Sequence, residues 1–464
     1  MARSATQFVC QQCGYSQVGW AGKCPNCESW GSLVETIVKE EKGKGRRRER
    51  GEIESIELAK VKGEGLRRIS SGIHEVDRVL GGGIVPGQVV LLAGEPGIGK
   101  STLLSQIAEK IYSPSQRLSR TGGANSKKKN VLYVSGEESA SQIKLRTERL
   151  GLSGKDVFVI EETDVDAIVS MLEAGSMKLD EITSNLKHQT SYNLIIIDSI
   201  QTLSTTDLAG MAGSVGQVRE SAARLITLCK RYGIPLFLVG HVTKEGTIAG
   251  PRVLEHMVDT VLWFEGDRAH VLRLLRAVKN RFGPTDEVGI FTMEERGLHP
   301  VENPSSLFIS GLTNVPGQVS TVIMEGTRPL IVEIQALVVP TKMPFPRRTV
   351  QGVDARRVDF LLAVATRRAG IQFDSFDVFV NVPGGISIRE PAADLAILLA
   401  LTSAALNKPL PQHSAIFGEV GLLGEVRPVS GETRRIKEAR RLGFGHLLTS
   451  SVVRTVGEAI RKYI

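Results

Sequence analysis

Short apolar runs alternate with segments of helical spacing through the middle of the chain. Seven of these runs predict β-strands: GQVVLLAGE, NVLYVSGEE, DVFVIEE, YNLIIIDSI, IPLFLVGH, TVLWFEG and HVLRLLRAV. Their apolar residues follow one another instead of alternating with polar ones, so both faces of each strand should be buried. The pattern predicts an α/β fold over residues 65–300, with a parallel sheet covered by helices.

Three other segments flank this unit. Residues 1–34 are short and cysteine-containing, and residues 35–64 form a charged linker with several glycines. Residues 301–464 predict a second, mixed α+β unit whose start is interrupted by prolines. The longest apolar run, LAILLALTSAAL, is too short to cross a bilayer, and the first residues lack the apolar centre of a secretory signal. We therefore expect a cytoplasmic protein without a membrane partner.

Two polar segments carry the positive charge. The formal net charge is +8, and residues 39–50 and 113–130 together account for all of it, since the remainder is close to neutral. Segments this polar cannot bury enough apolar surface to fold alone, and basic arms can hold phosphate backbones loosely. Residues 113–130 also separate a predicted helix from the next strand, where a short connection is usual. We interpret them as a disordered insertion.

The amino-terminal cysteines have the spacing of a metal site. CQQCGYSQVGWAGKCPNC places Cys10 and Cys13 ten residues before Cys24 and Cys27. Four thiolates in two tight turns can complete a tetrahedral Zn²⁺ shell, which leaves no open position for catalysis. Two disulfides are the alternative, although a cytoplasmic location disfavours them. A module of ~30 residues has too small a core to fold unaided, so Zn²⁺ should stabilise it.

A phosphate-binding loop begins the α/β unit. GEPGIGKS, residues 94–101, fits the pattern GxxxxGK[ST] between a predicted strand and a predicted helix. We expect backbone amides of the loop to hold the phosphates of ATP, Lys100 to reach the β- and γ-phosphates, and Ser101 to bind Mg²⁺. The predicted nucleotide contacts are Gly94, Glu95, Pro96, Gly97, Ile98, Gly99, Lys100, Ser101 and Thr102.

Polar residues end three of the other predicted strands. Asp198 ends an apolar strand and should bind Mg²⁺ through water, since a carboxylate in this position lies beside the phosphate loop. Hydrolysis also needs a group that orients water, and we favour Glu137 over the adjacent Glu138, which the sequence leaves open. His241 is a candidate contact of the γ-phosphate or a structural histidine.

These motifs, in this order, resemble the RecA-type ATPases. GIHEVDRVLGGGIVPGQVVLLAGEPGIGKST is also similar to the start of KaiC-type and archaeal recombinase domains, and the chain as a whole resembles the RadA family of bacterial DNA-repair proteins. The resemblance implies a homo-oligomeric ring, expected to be a hexamer, that hydrolyses ATP between subunits. It also implies helicase or translocase activity on single-stranded and branched DNA, with the recombinase RecA as a partner.

The segment KNRFG gains an interpretation from this resemblance. It comprises Lys279, Asn280, Arg281, Phe282 and Gly283. In related helicases, a Lys-x-Arg pair on a late strand reaches the γ-phosphate bound by the neighbouring subunit. Residues two apart on a strand point to the same side, so Lys279 and Arg281 could both contact one phosphate. The alternative is a solvated turn.

In the RecA-type fold, two loops contact DNA, and the corresponding segments here are residues 204–217 and 243–256. Lys244 and Arg252 are the cations that we expect to bind phosphates. Aromatic residues are sparse in both segments, so base stacking is not predicted. Ordinary flexible loops are the alternative.

The carboxyl-terminal unit resembles the proteolytic domain of Lon, which uses a serine and a lysine. Ala392 occupies the serine position and Thr433 the lysine position, so no activated nucleophile is present. We expect an inactive scaffold rather than an ATP-dependent protease. A basic segment could contact DNA or form a solvated helix face; its cations are Arg434, Arg435, Lys437, Arg440 and Arg441.

Two functional classes therefore remain after sequence analysis. The first is a DNA-stimulated ATPase motor that processes and branch-migrates recombination intermediates. The second is a regulatory binding protein in which ATP acts only as a switch.

Overall fold

The computed structural model describes residues 5–10, 15–26, 28–38, 68–111, 130–176, 192–241, 251–266, 272–309, 314–341, 343 and 345–464. The chain forms two compact units. The first consists of Met1–Gly266, Val271–Thr285 and Gly289–Pro300, and the second of Asp267–His270, Asp286–Val288 and Val301–Ile464. Among the helices in these described ranges, none has the length and apolar character needed to cross a membrane.

The amino-terminal module is a small antiparallel sheet. Its strands are β1 (Ala5–Cys10), β2 (Ser16–Gln17) and β3 (Leu33–Val38), in the order β2-β1-β3. Buried Cys10, Cys24 and Leu33 form its small core.

A nine-stranded sheet forms the centre of the first unit. Its order is β12-β11-β10-β9-β4-β8-β7-β5-β6, and the six strands from β9 to β6 are parallel. All seven predicted strands are confirmed. The strands are β4 (Val89–Gly94), β5 (Val131–Ser135), β6 (Val157–Glu161), β7 (Leu194–Asp198), β8 (Leu236–His241), β9 (Thr260–Glu265), β10 (Leu272–Asn280), β11 (Val288–Glu294) and β12 (Gly297–Pro300).

One of the seven predicted strands, β10, departs from the predicted parallel direction. Strand β10 runs antiparallel to β9, because the few residues between them cannot form a parallel crossover. Strand β10 also continues past the apolar run to Lys279 and Asn280, which pair with Val261 and Thr260. Backbone hydrogen bonding, which does not require apolar side chains, extends the strand. The hairpin of β11 and β12 was not predicted.

Helices cover both faces of this sheet, as predicted. They are α1 (His74–Val79), α2 (Lys100–Lys110), α3 (Ala140–Arg149), α4 (Val165–Ser176) and α5 (Val215–Tyr232). Val90 and Leu92 of β4 share one core with α1, α2 and α3, whereas Val89 and Leu91 share the other core with α4 and α5. The two-sided apolar pattern thus reflects a three-layer arrangement.

The second unit is a six-stranded mixed sheet with helices. The sheet order is β15-β16-β14-β13-β17-β20, and the apolar helix α7 is buried over its first ten residues. The elements are β13 (Gln318–Glu325), β14 (Arg328–Pro340), β15 (Arg348–Gln351), α6 (Ala355–Ala369), β16 (Phe376–Asn381), α7 (Asp394–Leu406), β17 (Ser414–Ile416), β18 (Glu419–Val420), β19 (Val426–Arg427), α8 (Glu432–Arg441), β20 (His446–Leu448) and α9 (Val456–Tyr463).

Arg435 contradicts the prediction of a basic surface made of five cations. Its side chain is fully buried in α8 and forms a two-pronged ion pair with Glu390, with Nη1···Oε1 2.8 Å and Nη2···Oε2 2.6 Å. Its guanidinium also donates to the carbonyl groups of Val322 and Ser430. Arg435 is therefore a structural residue. The remaining four cations of the segment are exposed: Arg434, Lys437, Arg440 and Arg441.

Replacing Arg435 with methionine should destabilise the second unit. The change leaves the partly buried Glu390, whose side chain is 25% exposed, without its cation. Breaking a fully buried pair typically costs about 3–5 kcal/mol, so we expect a loss of about 3 kcal/mol or less here. Amide hydrogen exchange in α8 measures the loss as a lower free energy of opening. Arg434→Met, on the exposed face of the same helix, is the control and should shift exchange little. Equal effects of the two substitutions would contradict the structural role of Arg435.

Candidate functional site

The phosphate loop joins β4 to α2 as the motif predicts. Gly99 is the N-cap of α2 and adopts a left-handed conformation with φ 113°. Because Gly99 has no side chain, the amide groups of the first helical turn can face an anion, and the helix dipole favours negative charge there. Glu95, Pro96 and Gly97 are exposed at the loop surface, whereas Ile98 is buried beneath it.

Gly94 fixes the start of the loop against a neighbouring strand. A Cβ atom at Gly94 would lie 2.3 Å from the carbonyl oxygen of Phe264, which is rigid backbone of β9. Only glycine allows this approach. The loop therefore has the close backbone packing and the uncovered amides that a nucleotide phosphate requires, and its residues fit ATP.

Lys100 is buried within this loop. Its side chain is 4% exposed, and Nζ donates to the carbonyl oxygens of Gly94 at 2.9 Å and Glu95 at 3.0 Å. Burial lowers the pKa of Lys100 to about 8, although the charges of Asp198 and Glu137 act in the opposite direction. An ammonium group in this environment gains most from an added anion such as a phosphate.

The predicted polar residues meet at the carboxyl ends of adjacent strands. His241 ends β8 directly opposite Gly94, and Asp198 ends β7 directly opposite Ser135. Glu137 follows β5, two residues beyond Ser135. The structure thus brings Glu137, Asp198 and His241 to the loop that contains Lys100.

Glu137 and Glu138 have different surroundings in the structure. Glu137 accepts a hydrogen bond from Ser199 Oγ at 2.6 Å and lies 3.4 Å from His241 Nε2. Contact with His241, the Ser199 hydrogen bond and the charge of Lys100 lower the pKa of Glu137 to about 2. Glu138 instead forms an ion pair with Arg146. Only Glu137 faces the phosphate loop.

Asp198 is held by a tyrosine that sequence analysis missed. Asp198 is 7% exposed and accepts a 2.5 Å hydrogen bond from the hydroxyl group of Tyr133, which in turn accepts one from Arg146 at 3.2 Å. Burial, followed by the charge of Asp198, raises the pKa of Tyr133. A polar ring within an otherwise aliphatic strand was the available signal. Asp198 and the half-buried Ser101 supply the hard oxygen donors that suit Mg²⁺.

The KNRFG segment is a fixed turn at the end of β10. Asn280 Oδ1 accepts a hydrogen bond from the Phe282 amide at 3.1 Å, and Arg68 donates to the Phe282 carbonyl at 2.5 Å. A Cβ atom at Gly283 would lie 2.9 Å from the Cα atom of Gly81. Arg68 was not identified from the sequence, because it precedes this turn by more than 200 residues.

Lys279 and Arg281 lie near each other, but not for the predicted reason. Lys279 belongs to β10, whereas Arg281 follows its last residue, and the strand is irregular between Ala277 and Lys279. Simple alternation along a strand therefore does not apply. Lys279 Nζ donates to the carbonyl groups of Glu255 at 2.6 Å and Val258 at 2.8 Å.

The metal-binding module contains two turns of the same form. The amide of Cys10 donates to the carbonyl of Tyr15 at 2.8 Å, and the amide of Cys24 donates to that of Ser29 at 2.9 Å. Cys10 and Cys24 are both buried in one small core. Two matching turns whose first cysteines share one core fit a Zn²⁺ site. Cys13 and Cys27 lie outside the described residues.

The first of the two loops predicted to contact DNA, residues 204–217, is anchored by side-chain contacts with α5. Gln217 accepts a hydrogen bond from the Thr205 amide at 2.8 Å and donates to the Leu208 carbonyl at 2.8 Å. Arg224 pairs with Asp207 at 2.7 Å. In the second loop, Arg252 is exposed in the short turn Pro251–Val253. Lys244 and residues 113–129 of the predicted insertion lie outside the described residues.

Comparisons with known proteins match each part of the chain. Residues 57–247 match the AAA domain family, residues 8–35 the rubredoxin metal binding domain, and residues 362–457 the carboxyl-terminal proteolytic domain of Lon protease (S16). A KaiC-like protein from Pyrococcus horikoshii and the RadB recombinase match 51% and 50% of this chain and 99% of each structure. Both are 19% identical, with TM-scores of 0.38 and 0.35.

Full-length relatives are also similar. The DNA repair protein RadA of Bacillus subtilis is 43% identical over 97% of this chain and 93% of that protein. RadA of Halalkalibacterium halodurans is 45% identical over the same shares. RadA of Aquifex aeolicus is 44% identical over 96% of this chain and 93% of that protein.

The sheet, the phosphate loop and the AAA match define a RecA-like ATPase core, which is joined here to a zinc-binding module and a Lon-like unit. Identity of 43–45% over nearly the whole length then settles the family. The chain belongs to the RadA family of DNA repair proteins.

Gly94→Ala should weaken nucleotide binding strongly. The added methyl group must displace either the loop or the Phe264 carbonyl group, and either movement distorts the phosphate cradle. We expect at least roughly tenfold weaker binding of a fluorescent ATP analogue, since one lost backbone contact is worth about 1.4 kcal/mol or more. Gly216→Ala is the control, because a Cβ atom there meets open space. Unchanged affinity in Gly94→Ala would contradict the cradle.

Proposed function

We propose that this protein is a DNA-stimulated ATPase that forms a ring, expected to be a hexamer, and moves along single-stranded DNA in the cytoplasm. Its task is to process and branch-migrate recombination intermediates during repair, with RecA as a partner. The names of its relatives, DNA repair protein RadA, support this role. The observation that carries the ATPase proposal is the placement of Glu137, which contacts Ser199 and His241 where His241 lies opposite Gly94 of the phosphate loop.

Each residue of the site has a separate task. The loop amides and Lys100 hold the phosphates, while Ser101 and Asp198 hold Mg²⁺, which when bound neutralises charge on the phosphate oxygens. Glu137 has a pKa of about 2, so it is a weak base that stays ionised at neutral pH. It therefore orients water by accepting a hydrogen bond, and proton transfer to Glu137 is not required early in the reaction.

Glu137→Gln and Glu138→Gln form a matched pair. Glu137→Gln should retain ATP binding and lose most turnover, roughly 100-fold or more, because an amide is a poorer acceptor for the attacking water. Glu138→Gln should keep most turnover, since Glu138 pairs with Arg146. Steady-state phosphate release with single-stranded DNA measures both. A larger loss in Glu138→Gln would reverse the assignment.

Lys279 and Arg281 are proposed to act on the nucleotide of the neighbouring subunit. The Arg281 side chain is 58% exposed although its backbone lies in a fixed turn, a combination that suits a group presented to another chain. In such a role, the two cations stabilise charge on the transferring phosphate. His241, beside Glu137, is proposed to respond to the γ-phosphate.

Arg281→Ala should therefore leave nucleotide binding intact and lower turnover by roughly 1000-fold, as expected for an arginine finger. Phosphate release and binding of a fluorescent ATP analogue provide the two measurements. Turnover at the wild-type level would rule out the trans-acting role.

The remaining parts support the motor in this proposal. Lys244 and Arg252 contact DNA phosphates. Ala392 is buried, and Thr433 lies exposed in the first turn of α8. Since an alanine supplies no nucleophile and Thr433 no amine base, we propose that the Lon-like unit is a scaffold without protease activity.

A further inference from the structure

Asp259 lies at the base of the KNRFG turn, immediately before β9. Its side chain is 4% exposed. Oδ2 accepts a hydrogen bond from the Val89 amide at 3.1 Å. Oδ1 faces two cations, Lys230 Nζ at 3.0 Å and Arg281 Nη1 at 3.4 Å. The backbone carbonyl of Asp259 also accepts from the Arg281 amide at 3.1 Å.

The cations around Asp259 outnumber it. Lys230, Lys279 and Arg281 lie near Asp259, and Glu255 adds a second negative charge beside Lys279. Burial together with the charge of Arg281 lowers the pKa of Lys279. Three cations thus face two carboxylates, which leaves an excess of one positive charge. A phosphate carries more negative charge than a carboxylate and is a strong counter-ion for these cations.

Lys230 and Arg281 share the same oxygen atom, and they compete electrostatically because each cation partly neutralises the carboxylate that attracts the other. Because the Val89 amide uses Oδ2, both cations depend on Oδ1. Lys230 makes the shorter contact from the last turn of α5, and Arg281 makes the longer one from an exposed position. A departing Arg281 therefore leaves Asp259 still paired with Lys230, so the buried carboxylate never lacks a cation.

We propose that Asp259 is a positioning residue that holds the Arg281 guanidinium at rest within its own subunit. When Arg281 moves to the terminal phosphate of a nucleotide bound by the neighbour, Lys230 remains as the cation paired with Asp259. This inference rests on the trans-acting role proposed above for Arg281. It adds a resting position and a release partner, which the KNRFG motif alone does not contain.

The competition predicts opposite effects from two substitutions at one contact. Lys230→Gln removes the competitor, so Asp259 should hold Arg281 more firmly and DNA-stimulated kcat should fall by roughly three- to tenfold, a size typical of coupled neighbouring charges. The KM for ATP should change little, because Lys230 contacts Asp259, which binds the Val89 amide at the start of β4, whereas the phosphate loop follows the other end of that strand. Asp259→Asn weakens the hold on Arg281 and should raise turnover measured without DNA by a similar factor.

Lys230→Arg restores a cation and should recover most of the lost kcat. A purely structural role for Asp259 predicts a different result: both substitutions would lower kcat together, and the thermal unfolding midpoint would fall in parallel. That outcome would overturn the inference. If Asp259→Asn does not fold, the pair Lys230→Gln and Lys230→Arg decides, because the Lys230 side chain is 42% exposed.

Different results would contradict the trans-acting role of Arg281 and its resting position on Asp259. Normal turnover in Arg281→Ala would remove the trans-acting role and this inference with it. Loss of turnover in Arg281→Ala, combined with equal kcat values for Lys230→Gln, Lys230→Arg and wild type, would overturn only the resting position.

Discussion

The charge balance around the buried Lys100 is the interaction on which the ATPase unit depends. A buried ammonium group is costly, and here carbonyl groups of Gly94 and Glu95, together with the nearby Asp198 and Glu137, compensate for it. Two parallel strands, β7 and β5, must end beside the phosphate loop to bring Asp198 and Glu137 to Lys100. The sheet order, with β8 between β4 and β7 and with β5 beyond β7, meets that requirement.

Much of this arrangement could be predicted from sequence because its signals are local. The phosphate loop is a contiguous motif, and the seven strands are contiguous apolar runs, so neither depends on distant contacts. The resemblance of the whole chain to RadA proteins is confirmed by relatives 43–45% identical over nearly its full length. The sequence offered little to separate Glu137 from Glu138. The structure gives them different partners, Ser199 for Glu137 and Arg146 for Glu138, and the role of Glu137 in hydrolysis stays a prediction.

The features that were missed arise from contacts between distant residues. Arg435 lies in a basic segment that is typical of a solvated helix face, yet its side chain is buried and forms an ion pair with Glu390. Asp259 and Lys230 belong to no motif identified from the sequence. Arg68 donates to the Phe282 carbonyl although more than 200 residues separate the two in sequence. The antiparallel β10 places Arg281 beyond the end of a strand, where alternation no longer determines its direction. Such placements depend on tertiary packing, which local patterns do not encode.

The most direct test of catalysis between subunits is to mix two inactive variants. The Glu137→Gln variant lacks the water-orienting carboxylate but keeps Arg281. The Arg281→Ala variant keeps Glu137 but lacks the arginine that acts on the neighbouring subunit. If sites form at subunit boundaries, equal mixing should restore DNA-stimulated ATP turnover at about a quarter of the interfaces, those that join an intact pocket to an intact finger. Turnover in the mixture no higher than in either variant alone, despite confirmed co-assembly, would contradict the account.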